Sequence, residues 1–110
     1  MKDDAFREQQ FRDRFVEHIA PINHYVDELN AVGRGWVPYV APLHGGRDAQ
    51  VLSILRDPGP GTLADRGSSF LCTENDDGSA ELQTILMERT GLSPRVLLPW
   101  NAYPWYINRA

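Results

Sequence analysis

The most informative segment for the architecture is Val51-Leu52-Ser53-Ile54-Leu55-Arg56-Asp57-Pro58-Gly59-Pro60-Gly61. Its first part belongs to a short, nearly continuous apolar run from Ala49 to Leu55, the pattern of a strand that is buried on both faces in a parallel sheet. The prolines and glycines that follow interrupt regular structure and predict a stiff, tightly turned loop. We therefore expect a rigid loop at the carboxyl end of a buried strand.

A second apolar strand is predicted at Val96 to Leu98, and it leads into an aromatic segment, residues 99–106. Between the two strands, Ser79 can cap a helix that stops at Gly91. A strand, a helix and a second strand of this length imply a parallel pair with a right-handed crossover. Ligands of open parallel sheets bind beyond the carboxyl ends of the strands, so the loops 56–61 and 100–106 fall at the expected binding edge.

Two helices are predicted ahead of the first strand. Apolar residues recur at helical spacing from Phe6 to Ile19, which indicates one amphipathic helix. Pro21 suits the first turn of a second helix, and Gly33 ends it. The segment Trp36 to Pro42 is predicted to be extended at the surface rather than a central strand, because its two prolines cannot donate to a sheet ladder.

The composition is that of one globular domain, with 110 residues of which 42% are hydrophobic and 24% charged. A single cysteine excludes a disulfide scaffold. No apolar run approaches the roughly 20 residues that span a bilayer, and no signal peptide is evident, so we expect a cytoplasmic protein without membrane contact. The net charge of −4 excludes nucleic-acid binding by bulk electrostatics alone.

These elements predict an α/β fold with a short parallel sheet. We expect a single domain over residues 1–110, made of a helical lead-in (1–33) and an α/β part (36–110). Two doubly buried strands and three helices cannot cover one another, because a parallel strand needs a neighbour on each edge and helices on each face. We therefore expect the sheet to be truncated after the second strand, and to be completed by a missing C-terminal half or by self-association.

No cofactor or metal is expected. Gly59 and Gly61 lack the third glycine of a dinucleotide-binding fingerprint, and no P-loop sequence follows. The acidic stretch Glu74 to Gly78 fits a calcium loop poorly and suits turns and helix capping better. The histidines lack metal-ligand spacing, and Cys72 has no neighbouring base to activate it.

Asp57 is the remaining candidate for a catalytic residue. A carboxylate that is held on a stiff loop at the sheet edge can orient or deprotonate a water, or stabilise developing positive charge. From the residues alone, an ordinary Asp-Pro-Gly turn is the alternative.

Three segments in chain order carry a family resemblance: Val51 to Gly61, Gly67-Ser68-Ser69-Phe70, and Val96 to Asn101. Together, over Trp36 to Tyr106, they resemble the uracil-DNA glycosylase superfamily, especially its small actinobacterial and phage-type members. The resemblance implies a three-layer α/β/α sandwich. It also implies a base-excision repair hydrolase that binds DNA, flips out uracil or a related deaminated base, and hydrolyses its N-glycosidic bond.

The resemblance also implies roles for individual residues. Asp57 corresponds to the carboxylate that activates water, Phe70 to the ring that stacks on the flipped base, and Asn101 to the amide that reads the base edge. Gly59 stands where uracil-specific enzymes place a tyrosine that excludes thymine. The residues implied at the DNA backbone are Arg56, Pro58, Pro60 and Gly61. The aromatic residues that could stack on bases are Trp100, Tyr103, Trp105 and Tyr106.

Purely structural roles are the alternatives for these side chains. Phe70 and the other aromatics would then pack in the core, and Asn101 would belong to a turn or a helix cap. Family members also carry a later His-Pro-Ser-type segment, which nothing after Tyr106 supplies. Losing such a donor typically lowers the rate about 100-fold to 1,000-fold. We therefore expect the chain to be a weak or inactive form of a glycosylase. The alternatives are a non-enzymatic module that binds nucleic acid or protein, and an anion-recognising α/β protein.

Overall fold

The computed structural model describes residues 3–58, 70–71, 85 and 87–107. The helices there are α1 (Asp4–Arg12) and α2 (Ala20–Ala31), and residues 87–90 are also helical. The strands are β1 (Tyr39–Val40), β2 (Val51–Leu55), β3 (Phe70–Leu71) and β4 (Leu97–Asn101). Single 3₁₀ turns at Gly46–Asp48 and Pro94–Val96 lead towards β2 and β4. Most of the helix predicted from Ser79 lies outside the described residues.

The strands form two parallel pairs. β2 pairs with β4 in a register that runs from Val51 opposite Leu97 to Leu55 opposite Asn101, which confirms the predicted parallel arrangement. β1 pairs with β3, with Tyr39 opposite Phe70. The chain is thus a small mixed α/β fold with short parallel two-stranded sheets. The segment 36–42 is extended as predicted, but its predicted place at the surface is wrong, because Val37, Val40 and Ala41 are buried in the core. It contributes the two residues of β1, and Pro38 and Pro42 lie outside that strand.

The prediction that the first long strand is buried on both faces is wrong. In β2, Val51, Leu52 and Ile54 are 44%, 56% and 57% exposed. Among the described residues, β4 is the one strand that pairs with β2, and α2 packs against β1 instead. An apolar sequence favours the strand conformation, but burial also requires a covering layer, and the described helices do not supply one here.

The single helix predicted from Phe6 to Ile19 is also wrong, because α1 ends at Arg12. Beyond it, the N–H groups of Arg14, Val16 and Ile19 each donate to the carbonyl oxygen three residues earlier, at 3.0–3.3 Å. These are the bonds of a tighter coil. The Arg14 carbonyl meanwhile accepts from the Asn23 side chain of α2 at 2.7 Å, so a tertiary contact uses an oxygen that an α-helix would need. The second helix is confirmed, with Pro21 in its first turn.

Two asparagines of α2 bind the extended segment that follows the helix. The Asn23 side chain accepts from Val40 N–H at 2.8 Å and donates to the Val40 carbonyl at 3.0 Å. Asn30 does the same with Val37, at 2.8 and 3.0 Å. Seven residues of helix rise about 10 Å, and three residues of extended chain span about the same length. The spacing of the two asparagines along the helix therefore equals the spacing of Val37 and Val40 along the segment, and the two run antiparallel.

The core lies where this helix, the extended segment and the C-terminal aromatics meet. Val26, Leu29 and Val37 form its buried centre. Tyr39, Trp100 and Trp105 pack around them, partly buried. The end of the aromatic segment is therefore held against α2, and this contact fixes the chain that leaves β4.

The turn at 44–46 fixes the other end of β4. Gly46 has a φ of +57°, and a Cβ there would lie 2.1 Å from the His18 carbonyl oxygen, so only glycine fits. The Gly45 N–H donates to the Leu97 carbonyl at 3.1 Å. His44 is fully buried, and its Nδ1 donates to the Pro94 carbonyl at 3.0 Å. These contacts join the turn to the amino end of β4.

Candidate functional site

The carboxyl ends of β2 and β4 meet at one edge. The Ala102 N–H donates to the Leu55 carbonyl at 2.8 Å, and the Tyr103 N–H donates to the Arg56 carbonyl at 2.9 Å. The two chain segments therefore continue side by side beyond the ladder. Asp57 and Asn101 lie on these neighbouring segments, at the edge where the sequence predicts binding.

Asp57 is a buried carboxylate beside an exposed cation. Its side chain is 4% exposed, whereas that of Arg56 is 82% exposed. The Arg56 Nε donates to the Asp57 Oδ1 at 2.7 Å. This charge-assisted bond fixes the direction of the carboxylate and leaves much of the guanidinium in contact with solvent. Pro58, the next residue, is also buried.

Asn101 supplies a buried amide at the end of β4. The residue is 3% exposed, and its Oδ1 has no hydrogen-bond partner among the described residues. Leaving a buried acceptor unsatisfied typically costs about 1–3 kcal/mol, and most buried polar atoms have a partner. An amide oxygen in this state is suited to accept a hydrogen bond from an N–H group of a ligand.

Phe70 lies in the other strand pair. It is fully buried in a cluster with Ala41, and its ring centroid is 6.4 Å from the rings of Phe11 and Tyr39. This is the core packing that the sequence left as an alternative. Stacking of Phe70 on a base stays a prediction.

The structure separates the predicted stacking aromatics by their contacts. Trp105 is anchored, because its indole N–H donates to the Leu29 carbonyl at 3.0 Å. Trp100 stacks on Tyr25 of α2 at 6.3 Å between centroids, and the Tyr106 N–H donates to the Trp36 carbonyl at 2.7 Å. The rings of Trp105 and Trp100 therefore pack the C-terminal segment against α2, whereas the Tyr106 bond fixes only its backbone.

Tyr103 is the most exposed of these four aromatics, at 39%, and its backbone is bonded to Arg56. Its ring makes an edge contact with Trp105 at 5.3 Å. On the same Trp105 lies the guanidinium of Arg34, 5.5 Å from the ring. The sequence analysis did not identify Arg34, because no local pattern links it to Trp105.

His44 is a titratable group that lies away from this edge. Burial lowers the pKa of His44 to about 4, and the bond to the Pro94 carbonyl opposes that shift only in part. Because Pro94 precedes β4, His44 stands at the amino end of the strand, whereas Asp57 lies beyond the carboxyl end of its neighbour. We assign His44 a structural role.

Three predicted site residues, Gly59, Pro60 and Gly61, lie outside the described residues. Within the described ranges, no three or more His, Cys, Asp or Glu side chains form a group that could hold a metal ion. No helix there has both the length and the apolar character needed to cross a bilayer.

Comparisons with protein-family models, with curated proteins and with solved structures find no match for this chain.

Proposed function

We propose that this chain is a DNA glycosylase-type protein of base-excision repair, with the three-layer α/β/α architecture of the uracil-DNA glycosylases. It hydrolyses the N-glycosidic bond of uracil or a related deaminated base. The observation that carries the proposal is the parallel pairing of β2 with β4, which puts a buried carboxylate, Asp57, and a buried amide, Asn101, on neighbouring segments at one edge. Two of the three resembling sequence segments meet there.

The chemistry needs both groups. When the bond between the sugar C1′ and the base nitrogen breaks, the base leaves with the electron pair and the sugar acquires oxocarbenium character. The Asp57 carboxylate stabilises that positive charge and orients the water that attacks C1′. The water proton is released and the departing base takes up a proton, so the products are an abasic sugar and a free base.

Base recognition is the role we propose for Asn101. The uracil edge presents an N–H donor next to a carbonyl acceptor. An asparagine amide offers the complementary pair, since its Oδ1 accepts and its Nδ2 donates. The unpartnered Oδ1 of Asn101 supports this role, because the N–H of a flipped base would satisfy it.

The exposed side chains beside Asp57 are the ones that we propose to contact DNA outside the flipped base. Arg56 is largely in solvent and can reach a phosphate while its Nε still holds Asp57. Tyr103, the adjacent exposed ring, can stack on a neighbouring base. A protein with a net charge of −4 needs such local contacts.

The test measures binding and base release separately on the 110-residue chain. Under single-turnover conditions, with protein in excess, we expect slow release of uracil from oligonucleotides and tighter binding of uracil-containing than of matched thymine-containing DNA. Asp57→Asn should lower release at least about 10-fold and retain binding. Asn101→Ala should abolish the uracil preference. Asp48→Asn, an exposed carboxylate near the 44–46 turn, is the matched control and should change neither.

Two other outcomes would contradict all or part of the proposal. If the chain neither releases uracil nor distinguishes it from thymine in binding, the glycosylase proposal is wrong. If it prefers uracil-containing DNA but releases no base, hydrolysis by this chain is disproved, and the chain is either the inactive form expected from the sequence or the binding module.

A further inference from the structure

We propose that the outer edge of β2 is an intermolecular pairing edge, through which two copies of this chain join their β2–β4 sheets into one four-stranded sheet. This inference does not depend on the proposed function.

Among the described strands, β2 has a partner on one edge only. The Leu55 carbonyl faces β4, where it accepts from Ala102 at 2.8 Å. Since successive carbonyls of a strand point in opposite directions, those of Val51 and Ser53 also face β4, and those of Leu52 and Ile54 face the outer edge. Within the described part of the chain, no strand pairs with that edge.

The side chains of β2 leave this edge unprotected. Natural edge strands are usually guarded by charged residues, prolines or bulges. The sequence Val51-Leu52-Ser53-Ile54-Leu55 has none of these, and three of its apolar residues are 44–57% exposed. An exposed apolar strand with free backbone groups favours the addition of another strand.

A second copy is the occupant that the strand itself fits. In an antiparallel pair with its two-fold axis at Ser53, Leu52 lies opposite Ile54 of the second copy, and Val51 opposite Leu55 of the second copy. Every pair away from the axis is then apolar, which is the self-complementarity that a two-fold interface requires. The outward backbone groups of Leu52 and Ile54 would form hydrogen-bonded pairs on either side of the axis.

Ser53 is suited to the axis itself. Its backbone groups face β4, so the two Ser53 residues would form a non-hydrogen-bonded pair, in which the Cα atoms are about 4.5 Å apart. A small side chain fits that close approach. The paired length is only about 17 Å, and one strand edge of that length is small against the ~1,200–2,000 Å² that stable interfaces bury, so we expect a reversible, concentration-dependent dimer.

The first experiment follows the mass of the chain by light scattering or sedimentation over increasing concentration. We expect the mass to rise from that of the monomer towards twice that value. Ile54→Lys should keep the chain monomeric, because it places a charge at the pairing edge. Val32→Lys is the matched control, since Val32 is equally exposed at 58% but lies after α2, and it should dimerise like the parent chain. Circular dichroism establishes that both variants are folded.

The second experiment traps the register. In a chain whose single cysteine is removed (Cys72→Ser), Ser53→Cys should form a disulfide-linked dimer on oxidation, because the expected Cα separation lies within the disulfide range of about 4.4–6.8 Å. Val32→Cys in the same background gives the rate of random collision. We expect Ser53→Cys to cross-link at least about 10-fold faster. A parent chain that stays monomeric, or a dimer that Ile54→Lys leaves intact and Ser53→Cys does not trap, overturns the proposal.

Discussion

At the scale of single residues, His44 gives the clearest dependence of stability on pH. Its folded pKa of about 4 lies below the ordinary 6.5, so folding favours the neutral imidazole. The stability it contributes is fully present above about pH 6.5 and is lost as the pH falls towards 4. We expect the free energy of unfolding to fall by at most roughly 3 kcal/mol from this group. Urea unfolding at a series of pH values measures it.

The variant His44→Asn keeps an N–H donor for the Pro94 carbonyl but does not titrate. We expect the free energy of unfolding of this variant to depend less on pH between 6.5 and 4. His24→Gln, which removes an exposed imidazole, should leave that dependence in place. If His44→Asn and the parent chain lose stability in parallel over this range, His44 is not the group responsible.

Residue positions at the site were predictable to different degrees. Parallel pairing brings the carboxyl ends of strands together, so the placement of Asp57 and Asn101 at one edge followed from the order of the elements. The burial of Phe70 did not follow, because an aromatic ring suits a core and a stacking surface equally well. The pairing of Arg34 with Trp105 joins residues distant in sequence, and no local pattern encodes it.

At the scale of elements, the match between α2 and the extended segment predicts unequal roles for its two asparagines. Asn23 is fully buried and makes three hydrogen bonds, whereas Asn30 is partly buried and makes two. We expect Asn23→Ala to lower the free energy of unfolding by about 2–4 kcal/mol and Asn30→Ala by about 1–2 kcal/mol. Both free energies of unfolding are measured by urea unfolding, with one common slope of free energy against urea concentration.

A further variant separates hydrogen bonding from packing. Asn23→Asp has nearly the same shape and still accepts from the Val40 N–H, but it loses both donations and places a charge beside two carbonyls. We expect it to destabilise the chain at least as much as Asn23→Ala. Gln50→Ala, at an exposed position, is the control. Near-neutral behaviour of Asn23→Asp contradicts the role assigned to these bonds.

The same contacts explain why element boundaries departed from the sequence pattern. The apolar spacing from Phe6 to Ile19 is helical, yet α1 ends at Arg12. The Asn23 side chain donates to the Arg14 carbonyl, which is therefore not used in a continued α-helix. For β2, the pattern specified the strand correctly and its burial wrongly, because burial depends on what covers a strand. Local periodicity determines conformation more directly than it determines neighbours.

At the scale of the whole molecule, the net charge of −4 limits how DNA can be held. If the proposed function is correct, affinity comes from the buried site and a few exposed cations near it, Arg56 foremost. Each neutralised phosphate of single-stranded DNA contributes about −0.7 to the slope of log K against log salt. We therefore expect a shallow slope of about −1 to −2, measured by fluorescence anisotropy with a uracil-containing strand.

Single substitutions then assign this slope to residues. Arg56→Ala should make it shallower by about 0.7, since one phosphate contact is lost. Arg7→Ala removes a cation that α1 already pairs with Asp4 at 3.0 Å, and it should leave the slope unchanged. A slope steeper than roughly −4 requires about six phosphate contacts. That result would contradict local recognition at the β2–β4 edge, because so many contacts need a continuous basic surface and not a few arginines around one buried carboxylate.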